Sequence, residues 1–380
     1  MTLRMPLRAL AMAIPIALAA TPATAAPRDA DGLRATVDAR VEFLSAVARN
    51  AGFDEYRMQN ASSPYADRVD AAFAGQRDHP AFEAMRRMRK EHGLSYDAVM
   101  SLAVHLTDPP EMAEAIDFDR GPAQLDKRLV TGATRDLLRQ LRDLAAKVDW
   151  KAFMERERAF HENAAARLTS IATRWPLVAW FDRNLGVKQG AEYAPIAGLL
   201  CGGHNYGVST EFPDGKPARI TPVIGCWTWD AVGNPVFGGS KPEQVGALIA
   251  HELCHAYTNP VVERHADELQ PVGERLFALS RTQMEKQAYG TWKTTMGETF
   301  VRACTILCAA DAISPEVAEQ LAKSDASRGF RWVPALAKAL RPAFAAKPAD
   351  ASIESLLPLI RSTLEAEATR LEAAGGVTGK

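Results

Sequence analysis

The chain has 380 residues, of which 47% are hydrophobic and 24% are charged, and its formal net charge at pH 7 is −1. This composition is that of an ordinary globular protein, with one large domain or two smaller ones. Acidic and basic residues are intermixed along the chain. Without a basic surface or a polybasic segment, the composition predicts no nucleic-acid partner and no binding to a membrane surface.

The first 26 residues have the pattern of an export signal. Arg4 and Arg8 form a short positive segment, an apolar run extends from Ala9 to Ala20, and Ala23-Thr24-Ala25 resembles a cleavage site. The apolar run is too short to cross a bilayer, and no later stretch has about 18 consecutive apolar residues. We therefore predict a periplasmic or secreted protein with no integral membrane segment after cleavage.

Residues 33 to about 185 have helical periodicity. Apolar residues at positions 37, 41, 44 and 47 lie on one helix face, and Gly52 ends this helix. Loops are predicted at Pro109-Pro110 and Gly121-Pro122. The same helical spacing recurs in the segments 66–75, 81–91, 95–106, 134–147 and 150–173. The sequence thus predicts a helical N-terminal region over residues 27–185, which either covers a cleft or supports it.

From residue 186 to 240 the chain is rich in Gly, Pro, Thr and Val, which predicts β-structure. A turn is predicted at Pro213-Asp214-Gly215. Cys201 and Cys226 flank a strand, and they either form a disulfide across it or remain buried thiols. The predicted strands are 194–201, 205–210, 218–225 and 226–230. We expect a small antiparallel sheet inserted in an α+β protein that is mainly α-helical.

Residues 241–374 return to helical periodicity, and one of their helices carries a motif with chemical meaning. Ser240 and Glu243 have the spacing of a capping box, and Pro242 suits a first helical turn. Asn259-Pro260 predicts the end of this helix, because the residue before proline is pushed out of helical conformation. The sequence His251-Glu-Leu-Cys-His255 therefore lies within a helix.

Two histidines four residues apart lie on one helix face, so both imidazoles can reach one metal ion. Glu252 is offset by one residue and extends toward the position of a metal-bound water instead of the metal itself. This is the H-E-x-x-H arrangement of zinc proteases. The motif predicts one zinc ion per chain, bound by His251 and His255, with Glu252 as the general base.

A catalytic zinc needs a third protein ligand and one open position. Val261 occupies the place where some families have a third histidine, so a carboxylate downstream is expected. Spacing favours Glu274, which follows His255 by 19 residues (274 − 255). Burial favours Glu298, because its helix is apolar and a buried carboxylate needs a partner such as a metal. The residues alone leave this choice open, with Asp267, Glu268 and Glu285 as further acidic positions.

Further residues are expected to support catalysis or substrate binding. Three can donate a hydrogen bond to the oxyanion of the transition state: Tyr257, His265 and Tyr289. Arg302 lies one helical turn after Glu298 and can hold or neutralise it. Asn205 and Tyr206 lie in a glycine-rich segment whose open edge can align an extended peptide. For each of them the alternative is a purely structural role, such as packing, an ordinary salt bridge or a hairpin.

The order of several segments resembles a bacterial family called domain of unknown function 4932, whose members are predicted zinc metallopeptidases of the glutamate-ligand (gluzincin) type. The resemblance covers most of residues 35–362. The matching segments are Arg40-Val-Glu-Phe-Leu-Ser45, Gly52-Phe-Asp-Glu-Tyr56, Gly202-Gly-His-Asn-Tyr-Gly207, Ile249 to Pro260, Tyr289-Gly-Thr-Trp292, Gly297-Glu-Thr-Phe-Val-Arg-Ala303, Arg328-Gly-Phe330 and Leu357-Pro358.

This resemblance implies a zincin-like fold with the sheet next to the zinc helix, Glu298 as the third ligand and a peptide or protein as the substrate. Cys254 and His204 depart from the usual family pattern, but neither change removes a proposed ligand. One alternative from another class is a non-catalytic zinc- or peptide-binding protein on the same scaffold. Another is a structural helical protein in which the motif arose by chance. The presence of Glu252 favours the enzyme.

Overall fold

The computed structural model describes residues 32–57, 63–119, 125–212, 215–237, 241–348 and 350–375. Four of the sequence features lie wholly or mainly outside these ranges: the export signal, Gly121-Pro122, the turn at Pro213-Asp214 and Ser240 of the capping box. Within the described ranges, no helix combines the length and the apolar character needed to span a membrane.

The N-terminal part is helical, as predicted. Asp38 caps the first helix, because its side chain accepts hydrogen bonds from the amides of Arg40 and Val41. The predicted helix 150–173 is two helices that meet at Glu157. The helices of this part are α1 (Ala39–Asn50), α2 (Pro64–Phe73), α3 (Pro80–His92), α4 (Asp97–Val104), α5 (Thr131–Lys147), α6 (Trp150–Arg156), α7 (Arg158–Ala172) and α8 (Leu177–Leu185).

A small sheet follows, and its topology differs from the prediction. It consists of β1 (Glu192–Tyr193), β2 (Ile196–Gly198), β3 (Tyr206–Thr210) and β4 (Arg219–Gly225). The strands β1 and β2 pair with β4 in parallel, and β3 alone pairs with it in antiparallel orientation. The expectation of a purely antiparallel sheet was therefore wrong.

The physical reason lies in the path of the chain. The chain reverses direction between β2 and β3 and again between β3 and β4, so β4 runs in the same direction as β2. Because β4 then inserts between β2 and β3, these two strands are adjacent in sequence but are not neighbours in the sheet. The predicted strand 226–230 contributes only an isolated bridge from Trp229 to Pro235.

The C-terminal part is a second group of helices. It contains α9 (Pro242–Arg264), α10 (Ala266–Glu285), α11 (Trp292–Cys308), α12 (Pro315–Ser327), α13 (Val333–Ala346) and α14 (Leu357–Gly375). Helix α9 packs against α11 on one side and against β3 and β4 on another. The motif helix therefore lies between the sheet and the rest of the C-terminal helices.

Helix α9 does not end at Asn259-Pro260, and this prediction was wrong. The helix continues through Pro260 to Arg264. An internal proline costs about 3 kcal/mol, whereas burying a valine side chain contributes roughly 1.5–3 kcal/mol. Val261 and Val262 are both buried in the last turn, so their packing offsets the cost of the proline.

One hydrophobic core extends from Leu33 in the N-terminal part to Leu371 in α14. Cys201 and Cys226 lie in it as buried thiols that form no disulfide with each other, so the second of the two alternatives is the one the structure has. Each thiol has a different neighbour: Cys201 Sγ lies 3.7 Å from Ser45 Oγ, and Cys226 Sγ donates to the carbonyl of Thr228 at 3.3 Å. The two parts of the chain thus share one hydrophobic core.

Candidate metal centre

Helix α9 places the two motif histidines side by side. The rings of His251 and His255 are edge to face, with centroids 5.1 Å apart and planes at 81°. Their side chains are 17% and 16% exposed, which leaves them accessible to water. Together with Glu252, they offer three ligand atoms within 4.8 Å of one another. The helical spacing that defines the motif therefore does bring its polar groups together.

Helix α11 brings Glu298 to the same point. The carboxylate Oε2 lies 3.6 Å from His251 Nε2, and Oε1 lies 3.6 Å from His255 Nε2. Ligand atoms around a tetrahedral zinc with bonds of about 2.1 Å are about 3.4 Å apart. Glu252 lies 3.8 Å from His255 and within 4.8 Å of His251, so it is slightly further from the pair. Glu298 is therefore better placed than Glu252 to complete a set of three ligands.

The protonation states suit this division of roles. Burial lowers the pKa of His251 to about 3, so its ring is neutral and has a lone pair to offer. Burial also raises the pKa of Glu252 well above its ordinary value, and the negative charge of Glu298 adds to this effect. Burial acts on Glu298 in the same direction, but Arg302, the two histidines and a hydrogen bond from Tyr289 together outweigh it and hold the pKa at about 2.

The side chains of Arg302 and Tyr289 lie behind Glu298. Arg302 Nη2 is 2.9 Å from Glu298 Oε2, which is an ion-pair contact without hydrogen-bond geometry. The same nitrogen donates to the hydroxyl of Tyr289 at 3.2 Å. Both residues were predicted to support the site, and both lie beside the proposed third ligand.

The edge strand β3 lies directly against α9. A Cβ atom at Gly207 would be 2.5 Å from the carbonyl oxygen of Glu252 and 2.9 Å from Cβ of His255, so only glycine permits this approach. Among the described strands, β3 pairs with β4 alone. Sequence reasoning overlooked Gly207, although a glycine inside a predicted strand signals such a close contact.

The two residues singled out in this strand have other surroundings. Asn205 Oδ1 accepts a hydrogen bond from the amide of Gly225 at 3.0 Å and so ties β3 to the end of β4. The side chain of Tyr206 is buried, and its ring stacks on that of His204 with centroids 6.5 Å apart. Their side chains therefore hold the strand in place, and only its backbone is left to meet a substrate.

Three of the predicted residues lie away from the histidine pair. The hydroxyl of Tyr257 donates to Asp182 at 3.0 Å and lies 2.5 Å from that of Tyr193, on the opposite face of α9. His265 lies about 15 Å further along the helix axis than His255 and contacts Glu268 at 3.1 Å. Glu274 is exposed on α10, where it accepts a hydrogen bond from Gln270.

The donor set suits a zinc ion. Two neutral imidazole nitrogens and one charged carboxylate are the ligands of many catalytic zinc sites, and they leave one position open. Glu298 is buried and keeps its negative charge beside Arg302, so its carboxylate can offer a charged oxygen to a cation. His251, His255 and Glu298 are thus the residues that can hold a metal.

A protein-family model agrees with the resemblance noted in the sequence. The model is described as a domain of unknown function (DUF4932), and it matches residues 34–361. The chain belongs to this family. Neither a curated protein nor a solved structure matches the chain. Membership in DUF4932 therefore confirms the family resemblance but carries no statement about activity.

Proposed function

We propose that this DUF4932 protein is a zinc metallopeptidase of the gluzincin type, with His251, His255 and Glu298 as the zinc ligands. The observation that carries the proposal is the position of the Glu298 carboxylate, 3.6 Å from the Nε2 atom of each motif histidine. These three residues come from two helices, and their geometry matches the ligand spacing of a tetrahedral zinc site.

The chain's own residues have separate roles in the proposed reaction. A bound zinc lowers the pKa of a water molecule and polarises the carbonyl group to be attacked. Glu252 accepts the proton of the attacking water and then transfers it to the leaving amine. Of the three predicted oxyanion donors, Tyr289 is the one that lies beside Glu298, and its hydroxyl is proposed to stabilise the oxyanion of the transition state.

A peptide substrate is proposed because an edge strand adjoins the histidines. The Gly207 backbone of β3 is in close contact with Glu252 and His255. An extended peptide that adds to such an edge forms main-chain hydrogen bonds, and its carbonyl groups then pass the metal position. The proposal also retains export to the periplasm or the extracellular space, which N-terminal sequencing of the mature protein would test.

The decisive experiment measures zinc content in the purified wild type and in three variants. We expect about one zinc per chain in the wild type and a loss of zinc in His251→Ala and Glu298→Ala. Glu274→Ala is the matched control, because it removes an exposed glutamate from a neighbouring helix. A folded wild type that takes up no zinc would refute the proposal, and loss of zinc only in Glu274→Ala would move the third ligand.

Catalysis is tested separately with Glu252→Gln in a peptide-library assay. Removing a general base lowers the rate by roughly 10²–10⁴-fold, whereas the zinc content should stay at the wild-type level. A wild type that binds zinc but cleaves no peptide would favour the non-catalytic binding protein. Equal cleavage by wild type and Glu252→Gln would exclude the assigned base.

A further inference from the structure

The Arg302 side chain is in the protein interior, and it contacts two carboxylates at once. Its Nη2 atom lies 2.9 Å from Glu298 Oε2, and its Nη1 atom lies 2.5 Å from Oδ1 of Asp325 on α12. The three side chains are 7%, 9% and 6% exposed, so water screens neither contact effectively. The carboxylate of Asp325 is therefore coupled through one guanidinium to the proposed third ligand.

Two aromatic residues complete the enclosure of this guanidinium. The Tyr289 hydroxyl accepts a hydrogen bond from Nη2 at 3.2 Å. The ring of Phe330 packs on the guanidinium face, with its centroid 4.4 Å from Cζ. The orientation of Arg302 is thus determined by contacts from α11, α12, the segment after α12 and the segment before α11.

We infer that Asp325 is a positioning residue of the metal centre, which holds Arg302 so that only one of its nitrogens pairs with Glu298. This inference rests on the proposed function, because it assigns Glu298 to a metal. Arginine and a carboxylate prefer to form two parallel contacts. If Asp325 did not occupy Nη1, Arg302 could turn both terminal nitrogens toward Glu298 and draw both oxygens away from the histidines.

The charges of the group support the same role. One guanidinium lies between two buried carboxylates, so Glu298 shares the charge of Arg302 with Asp325. The charge of Arg328 also acts on Asp325, so Asp325 does not depend on Arg302 alone. A buried carboxylate that shares its counter-ion can still pair with a further cation, and a divalent cation in front of Glu298, between the two histidines, would be that partner. Arg302 fixes the orientation of Glu298, and its sharing with Asp325 leaves Glu298 free to pair with a metal.

The experiment compares Asp325→Asn with the wild type and with Asp70→Asn. Asp70 is the control, because its carboxylate accepts two hydrogen bonds from the buried Arg49 at 3.0 and 2.9 Å, and this pair joins the N-terminal helices α1 and α2. Zinc affinity is measured by competition with a chromophoric chelator. The absorption spectrum of the Co²⁺-loaded proteins at saturation reports the ligand geometry independently of affinity and of peptidase activity.

Asp325→Asn should weaken zinc binding by about 10–100-fold, the effect typical of residues that orient a metal ligand, and should change the Co²⁺ spectrum. Asp70→Asn should lower the melting temperature but leave both metal readouts unchanged. Wild-type affinity and spectrum in Asp325→Asn would overturn the inference while the proposed function stands. A wild type that binds no zinc would overturn both.

If Asp325→Asn does not fold, Arg302→Lys carries the same test. Lysine keeps the positive charge, but its ammonium group cannot present a planar pair of donors to Glu298 and Asp325. Zinc binding should then weaken by about 10–100-fold with a changed Co²⁺ spectrum. An unchanged affinity and spectrum in Arg302→Lys would overturn the inference.

Discussion

Two buried glutamates, one in each half of the molecule, have opposite electrostatic surroundings. Glu42 lies on α1 and is fully buried, and Glu298 lies on α11 and is 7% exposed. Each has an Oε2 atom without a hydrogen-bond partner among the described residues. Both lie in helices with buried apolar residues close by in sequence, Val41 and Phe43 at Glu42 and Met296 and Phe300 at Glu298.

The difference lies in what surrounds each carboxyl group. Glu42 accepts a hydrogen bond from the amide of Leu199 at 2.8 Å, and burial raises its pKa to about 8. Glu298 has Arg302 behind it and two histidines in front, and its pKa is held at about 2. Glu42 is therefore mainly protonated at neutral pH, whereas Glu298 carries a charge. Burial alone does not make a metal ligand, because a neutral carboxyl group has no charge to offer a cation.

The largest expected difference between the two glutamates is in zinc affinity. Glu298→Gln removes the charged ligand, so zinc binding should weaken by more than the roughly 100-fold typical of supporting residues. Glu42→Gln makes the same chemical change in the other half and should leave zinc affinity unchanged. Chelator competition measures both variants, and an equal loss in the two would show that the effect comes from general destabilisation.

The next largest expected effect is a pH dependence of the free energy of unfolding that comes from Glu42. Its pKa rises from roughly 4.3 in an unfolded chain to about 8 in the folded protein. Between these values the folded state binds more protons than the unfolded state, so the stability contributed by Glu42 falls as pH rises, by about 1.4 kcal/mol per pH unit. Glutamine does not titrate, so Glu42→Gln should gain stability relative to the wild type from pH 5 to pH 8 in urea unfolding. A stability difference independent of pH would contradict this.

A smaller effect is expected when the close contact between Gly207 and helix α9, beside the metal centre, is disturbed. In Gly207→Ala the new Cβ would overlap the carbonyl oxygen of Glu252, and overpacking of this kind costs about 1–3 kcal/mol. The melting temperature should fall and zinc binding should weaken together. Gly132→Ala is the control, because a Cβ at that helical position meets nothing within 4 Å. An unchanged melting temperature and zinc affinity in Gly207→Ala would contradict a close contact between β3 and α9.

The smallest effect is expected from Tyr257→Phe. The variant loses the hydroxyl contacts with Asp182 and Tyr193, which should lower the free energy of unfolding by about 1–2 kcal/mol. Zinc affinity and the rate of peptide cleavage per folded molecule should not change, since this hydroxyl lies on the opposite face of α9. A specific loss of catalytic rate with normal zinc content would restore Tyr257 as a catalytic candidate.

Much of the site could be predicted from local patterns. The helical spacing placed His251 and His255 on one face, and the apolar surroundings of Glu298 correctly predicted its burial. The same reasoning failed at Pro260, because the packing of the two valines after it is not a local property. It also missed Gly207 and Asp325, whose importance depends on helices and strands that come from other parts of the chain.

The sequence by itself determined the division into helical and β regions and the grouping of the motif side chains, because these follow from the 3.6-residue period of a helix and from local composition. Only the tertiary structure decided which carboxylate meets the histidines and which strand lies beside them. It also decided that Arg302 is shared between Glu298 and Asp325. These outcomes depend on contacts between distant segments, and no local period along the chain encodes such contacts.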